Sequence, residues 1–335
     1  MARLKPGDLL RERYRIVETI GQGGMGTLYR AADIRLEGRY TAIKEIQPDP
    51  NSTSEDREQD RRQFQREANI LARLDHPTLP KVSDFFFEDD RDFLVMDFVP
   101  GSDLRQVIEQ AVARGAFLPE SDVLDWARQI LGALHYLHTQ EPPVLHRDIK
   151  PANIKLTPSG AIKLVDFGLV QVTQPDEGRT VTVVQGRGTA HYTPLEQYGE
   201  DVGHTDARSD LYALGATLYH LLTNEAPADT KRRFLQPGSL RDPRVLNAAI
   251  SDRTARAVLW AMAMHPDDRP PDAASLIQAL FGDGAVPAPR TVARIDDTEP
   301  LTRDGLGAPP FVQGNIVLAI LAAVLLLVAL LVTVV

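Results

Sequence analysis

Two short runs hold the side chains best suited to chemistry. His146-Arg147-Asp148-Ile149-Lys150-Pro151-Ala152-Asn153 brings a carboxylate, an ammonium and an amide close together, and Asp166-Phe167-Gly168 adds a second carboxylate. A carboxylate beside a lysine suits proton removal from a hydroxyl with neutralisation of nearby negative charge. Amide and carboxylate oxygens are hard ligands of the kind Mg²⁺ takes while keeping several waters. Taken one at a time, Asp and Asn in loops are ordinarily turn residues.

Far upstream lies Gly21-Gln22-Gly23-Gly24-Met25-Gly26, a G-x-G-x-x-G run. Glycines let backbone N–H groups approach phosphates with no Cβ in the way. Alone, the pattern fits dinucleotide-binding folds as well, or a mere turn. A dinucleotide site needs a helix opening at the last glycine, whereas Thr27-Leu28-Tyr29 continues as a β-type run, and no Gly-Lys-Ser/Thr follows. Instead Thr41-Ala42-Ile43-Lys44 ends a nearby apolar strand in a lysine that can reach phosphate oxygens. Buried in a cleft, that ammonium needs a carboxylate partner. Glu67 is the candidate, although either residue alone also reads as an ordinary surface charge.

The elements that must position these groups change texture once. Tyr14 to Val17, Gly26 to Arg30, Tyr40 to Lys44 and Phe93 to Met96 read as strands. One helix, roughly Gln59 to Leu74, interrupts them, with Phe64, Ala68, Leu71 and Leu74 at helical spacing. The acidic stretch Asn51 to Asp60 reads as a solvated loop leading into it. After Asp103 the pattern is mostly helical: Val123, Ala127, Ile130, Leu134 and Leu137 mark one long helix, and Leu211, Leu214, Leu218 and Leu221 another. A strand-rich lobe followed by a helix-rich one is an α+β arrangement, with the cleft between them a favoured ligand site.

Composition narrows the function. Of 335 residues 43% are hydrophobic and 25% charged, the balance of a globular chain. A net charge of −9 argues against nucleic acid as a partner. The absence of cysteine removes disulfides, thiolate metal sites and cysteine nucleophiles. His135 and His138, one helical turn apart, have no third ligand nearby and read as packing or surface residues.

The C-terminal end has a different character. Ile316 to Val335 is an unbroken apolar run with Thr333 its one polar residue. Its helical length of about 30 Å matches the hydrocarbon core of a bilayer. It reads as a tail anchor, with no domain expected beyond it and no signal peptide at the start. Between Gly282 and Gly314, a Gly- and Pro-rich stretch reads as a flexible tether.

The runs from Gly21 to Gly26, at Lys44, from His146 to Asn153 and at Asp166 occur in the order and spacing of the protein kinase superfamily, which residues 14–281 resemble. Lys150 in the catalytic loop is the form of the serine/threonine kinases. The glycine-rich run and the C-terminal span together look like bacterial receptor-type, eukaryotic-like kinases. The resemblance implies a two-lobed protein kinase fold, a β-rich N-lobe and an α-helical C-lobe over 14–281, then a juxtamembrane linker (282–314) and one transmembrane helix (315–335).

It also implies roles. Asp148 orients the substrate hydroxyl and accepts its proton, Lys150 neutralises the γ-phosphoryl group, and Asn153 and Asp166 hold Mg²⁺, with Mn²⁺ as an alternative. ATP is held by Gly21, Gly23, Gly24, Gly26, Leu28 and by Lys44 paired with Glu67. Met96 is the gatekeeper, Asp97 and Val99 belong to the hinge that binds adenine, and Asp103 meets the ribose. Gly188 to Gln197 resembles the segment that docks substrate, reading Pro194-Leu195-Glu196 where the family has Ala-Pro-Glu. Glu196 is expected to pair with Arg269, and Asp210 to brace the catalytic loop. Arg147 before the catalytic Asp implies control by loop phosphorylation, with Thr180 and Thr182 the candidates and Thr173 behind them. The partners are protein substrates, a second copy for autophosphorylation in trans, and the membrane, with the kinase domain on the cytoplasmic face of the cell membrane. A catalytically dead scaffold, and a lipid or small-molecule kinase, are the competing readings. Intact Lys44, Asp148, Asn153 and Asp166 oppose the first, and the peptide-docking segment opposes the second.

Overall fold

Alternation along Gly26–Asp33 puts Thr27, Tyr29, Ala31 and Asp33 on the buried face of a strand. This pattern starts a β-rich lobe in the computed structural model, which describes residues 3–23, 26–46, 53–166, 190–198 and 205–287. The strands β1 (Leu9–Leu10), β2 (Tyr14–Gly23), β3 (Gly26–Asp33), β4 (Tyr40–Ile46), β5 (Val82–Glu88) and β6 (Arg91–Asp97) form one antiparallel sheet in the order β1-β2-β3-β4-β6-β5. Tyr14, Ile16, Tyr29, Ile43, Phe86, Phe93 and Val95 build a core on one face, against which Leu4 packs. On the other face, Ala42, Leu94 and Met96 join the main core together with helix α1 (Ser54–Arg73).

Helix α1 starts earlier than its apolar spacing predicts. The Thr53 hydroxyl accepts from Asp56 N–H at 3.1 Å, and the Asp56 carboxylate accepts from Thr53 N–H at 3.1 Å. This capping box, with Glu55 and Asp56 at the positive end of the helix dipole, turns most of the expected acidic loop into helix. Phe64, Ala68, Leu71 and Leu74 face the core, as their spacing requires.

The second lobe is mostly helical: α2 (Leu104–Ala113), α3 (Glu120–His138), α4 (Ala207–Thr223), α5 (Thr230–Leu235), α6 (Pro243–Leu246), α7 (Asp252–Ala261) and α8 (Ala273–Phe281). Three short strands, β7 (Ser102–Asp103), β8 (Ile154–Leu156) and β9 (Ile162–Leu164), form a small sheet beside α2 and α3. Fourteen of the 17 residues of α4 are buried, so this helix is the central post against which α3, α7 and α8 pack.

Gly24, Thr173, Thr180, Thr182, the linker beyond 287 and the expected transmembrane helix at 315–335 lie outside the described residues. Among those described, no helix is long and apolar enough to cross a membrane.

Candidate active site

The hairpin of β8 and β9 holds Asn153 just before its first strand and Asp166 just after its second. Val165 N–H donates to Asn153 O at 2.8 Å and closes the two ends together. Asn153 then turns its amide onto Asp148, with Nδ2 donating to the backbone O and to Oδ2, both at 2.8 Å. Lys150 Nζ donates to both oxygens of the same carboxylate, at 2.8 and 2.7 Å. Asp148 is therefore held by a cation and an amide that fix its orientation.

The loop carrying Asp148 is suspended from α4. Asp210, in the first turn of that helix, accepts from His146 N–H at 2.9 Å and from Arg147 N–H at 2.7 Å. His138 Nε2, on α3, meets the same carboxylate at 2.9 Å. Burial works to raise the Asp210 carboxyl, but His138, His146 and the backbone donor of His146 more than offset it, so the group stays below the usual carboxylate range. Burial pushes the His146 imidazole down, despite Asp210 and Asp148 nearby. Arg147 has φ 63° and Asp166 φ 59°, left-handed backbone that costs about 1–3 kcal/mol per residue and persists where the surroundings impose it.

Lys44 reaches the site from β4, opposite Leu28 on β3 and Leu94 on β6. Its ammonium donates to Asp166 Oδ1 at 2.5 Å. Burial tends to raise the Asp166 carboxyl, but Lys44, then Lys150 and His146, hold it below the ordinary range. The charge of Lys150 acting on Asp166 makes one constellation of the two clusters.

The expected pairing of Lys44 with Glu67 is not what forms. Glu67, buried on α1, accepts from Gln63 Nε2 at 2.9 Å, and the cation acting on it is Arg147. Burial pushes the Glu67 carboxyl up to about 7, with Gln63 and Arg147 opposing. Lys44 pairs with Asp166, while the cation acting on Glu67 is Arg147.

The nucleotide-side residues are placed by the sheet. Gly21 and Gly23 lie on β2, Gly26 opens β3, and Leu28 is half-buried against the main core. Gly26 has φ 135°, and a Cβ there would collide with the Glu45 carbonyl oxygen, so only glycine fits. Met96 is buried on β6 between Ala42 and Val82. Asp97 accepts from Lys81 N–H at 3.2 Å, and Val99 follows in the connection to the helical lobe. Asp103 caps α2: its Oδ1 accepts from Gln106 N–H at 2.9 Å, and Gln106 returns a bond to Asp103 N–H at 3.1 Å.

The described part of the segment expected to dock substrate, residues 190–197, is tied down at four points. Glu196 receives both guanidinium nitrogens of Arg269, at 2.6 and 3.0 Å, and the Ser209 hydroxyl at 2.8 Å. Burial tends to raise the Glu196 carboxyl, but Arg269 holds it below the usual range. His191 Nδ1 meets Pro227 O at 2.7 Å, and the Thr230 hydroxyl donates to Thr193 O at 2.9 Å. The Tyr192 hydroxyl lies 2.7 Å from His220 Nδ1, with the rings stacked at 6.2 Å. Burial raises Tyr192 to about 12, and burial with His191 lowers His220 to about 4.

Sequence reasoning missed His138, His220 and the facing of Arg147 toward Glu67. His138 continues the buried stripe of Ile130 and Leu134, and a polar residue on such a stripe was the available signal. No such signal marks His220, because α4 is buried nearly all round.

Residues 14–281 match the protein kinase domain family. The chain is 35% identical over 280 residues to the DNA damage-responsive serine/threonine-protein kinase RqkA of Deinococcus radiodurans, covering 82% of this chain and 40% of that protein. It is 37% identical over 224 residues to the serine/threonine-protein kinase PrkC of Bacillus subtilis, covering 67% of this chain and 32% of the relative. The chain thus spans well under half the length of these relatives. The crystal structure of the Mycobacterium tuberculosis PknI kinase domain superposes with a TM-score of 0.62 at 30% identity, covering 83% of this chain and 98% of that one.

Proposed function

This chain belongs to the protein kinase family, with bacterial serine/threonine kinases among its relatives, and we propose that it transfers the γ-phosphate of ATP to serine and threonine hydroxyls of proteins. The observation that carries the reading is the Asp148 carboxylate, gripped by Lys150 and Asn153 and adjoining the Lys44–Asp166 pair.

Phosphoryl transfer needs positioning and charge neutralisation more than covalent chemistry. Asp148 orients the acceptor hydroxyl and takes its proton as the oxygen bonds to the γ-phosphorus. The bond from that phosphorus to the bridging oxygen breaks, ADP leaves, and the proton passes from Asp148 to solvent. Lys150 lies where it can share its charge with the transferred group, and Lys44 where it can turn from Asp166 to the other phosphates. The donor set fits Mg²⁺: the Asn153 amide nitrogen is spent on Asp148, leaving Oδ1, and Asp166 meets Lys44 through Oδ1, leaving Oδ2. When bound, the ion neutralises phosphate charge.

The Glu67–Arg147 facing fits a resting arrangement, from which Glu67 turns to Lys44 on activation. Autophosphorylation in trans on Thr180 or Thr182 fits this reading, since a phosphate gives Arg147 a new partner. Full-length protein incubated with Mg-ATP is expected to label itself, with phosphopeptides mapping to Thr180 or Thr182. Label confined to other residues rejects that assignment.

Anchoring at the cytoplasmic face of the cell membrane rests on the apolar run at 316–335. Full-length protein should stay in the membrane fraction after alkaline carbonate washing, while a chain ending at Pro310 is released. Equal release of both would reject the anchor.

A further inference from the structure

The glycine-rich turn is carried by β2 and β3, and one arginine on β3 binds the connection between the lobes. Arg30 lies opposite Glu18 on β2 and Ala42 on β4. Cross-strand partners share a face, so Arg30 stands with Ala42, Leu28 and Lys44 on the face of the nucleotide-side residues. Its guanidinium carbon sits 4.0 Å from the Tyr40 ring centroid and 4.9 Å from that of Phe98. Its Nη1 donates to Glu18 Oε1 at 3.1 Å. The buried Nε has no hydrogen-bond partner among the described residues, so two ring faces and one carboxylate hold the group. A planar guanidinium suits such a stack better than a compact ammonium does.

The β2–β3 ladder shifts register between Ile16 and Glu18, and again between Thr19 and Gly21. Such irregularities bend a strand and disrupt its pairing. The backbone ladder alone therefore holds the turn at Gly21–Gly26 weakly, and the Glu18–Arg30 pair fixes the register between the two shifts. Phe98 lies between Asp97 and Val99, in the stretch expected to bind adenine. Arg39, 3.5 Å from Asp97 Oδ1, ties the turn before β4 to that connection but leaves β2 out.

On the kinase reading, on which this inference rests, we propose that Arg30 is a positioning residue for the nucleotide. By stacking on Phe98 and Tyr40 while holding Glu18, it sets the spacing between the stretch that takes adenine and the glycine strands that cover the phosphates. A ligand with both base and phosphates feels both ends of that spacing, whereas the nucleoside alone feels one.

The test is equilibrium binding to full-length protein in detergent, with Mg²⁺ and a non-hydrolysable ATP analogue as one probe and adenosine as the other. Arg30→Ala is expected to weaken the analogue about threefold to tenfold, the scale of two partly exposed cation–π contacts and a surface ion pair, and adenosine less than about twofold. Arg30→Lys keeps the charge without the planar fork and should still weaken the analogue at least about twofold. Phe98→Leu should act as Arg30→Ala does, and combining the two should add less than about twofold, because both remove one contact. Should Arg30→Ala fail to fold, the same selective loss in Arg30→Lys and Phe98→Leu decides the question. Equal weakening of both probes would make Arg30 a general support of the pocket, and unchanged or additive affinities would dispose of the clamp. Each of those results leaves the kinase reading intact, since wild type still binds the analogue and labels itself. If wild type does neither, the kinase reading fails and the clamp with it.

Discussion

Asp148→Asn is expected to lower the rate of phosphate transfer to protein at least about 1,000-fold, within the range that a positioned general base contributes. The change is nearly isosteric. The side-chain oxygen left at 148 can still accept from Lys150, which now donates to both oxygens at 2.8 and 2.7 Å. What is lost is the acceptor for the substrate's proton and the negative charge that orients its hydroxyl. ATP affinity should change less than about threefold, because Lys44 and the glycine strands are untouched. Initial rates with radiolabelled ATP, together with nucleotide titration of the same variant, separate the two effects. A variant transferring at more than a tenth of the wild-type rate would remove Asp148 from the mechanism.

The second large effect is on stability. Arg269 is buried and gives its guanidinium to Glu196, to the carbonyls of Ala263 and Met264, and to the Tyr212 ring face at 4.9 Å. Arg269→Ala leaves the largely buried Glu196 carboxylate with Ser209 as its one side-chain donor among the described residues. Breaking a buried pair on one side costs about 3–5 kcal/mol. The urea midpoint should fall accordingly, and peptide phosphorylation with it, if Glu196 lies in the segment that docks substrate, as proposed. Because the folded-state carboxyl of Glu196 lies below its unfolded value, the pair stabilises above the ordinary carboxylate range and is lost as pH falls through the lowered value. The variant should therefore lose less stability on acidification than wild type. A loss of unfolding free energy under about 1 kcal/mol would mean that Glu196 finds another partner.

Much of the active site was legible because its residues fall in short runs. Asp148, Lys150 and Asn153 are neighbours in sequence, so the turn that joins them is local. The strands from β2 to β4 and β6 carry clear apolar patterns, whereas β5, with Phe85, Phe86 and Phe87 in a row, has no clean alternation. The partner of Lys44 was not legible. It depends on how the fold brings α1 and the segment ending at Asp166 to Lys44, a long-range placement that spacing does not encode. The start of α1 was hidden because Glu55 and Asp56 look like solvated loop residues until the Thr53 cap is seen. His220 escaped because α4, buried at fourteen of its 17 positions, gives no clear polar face to read.

The most direct measurement of the proposed activity is phosphoamino-acid analysis of protein labelled by the full-length chain with γ-labelled ATP and Mg²⁺. The expected result is label in phosphothreonine and phosphoserine, present with wild type and lost with Asp148→Asn. Label released only as free phosphate, or recovered in phosphotyrosine or lipid, would contradict a protein serine/threonine kinase.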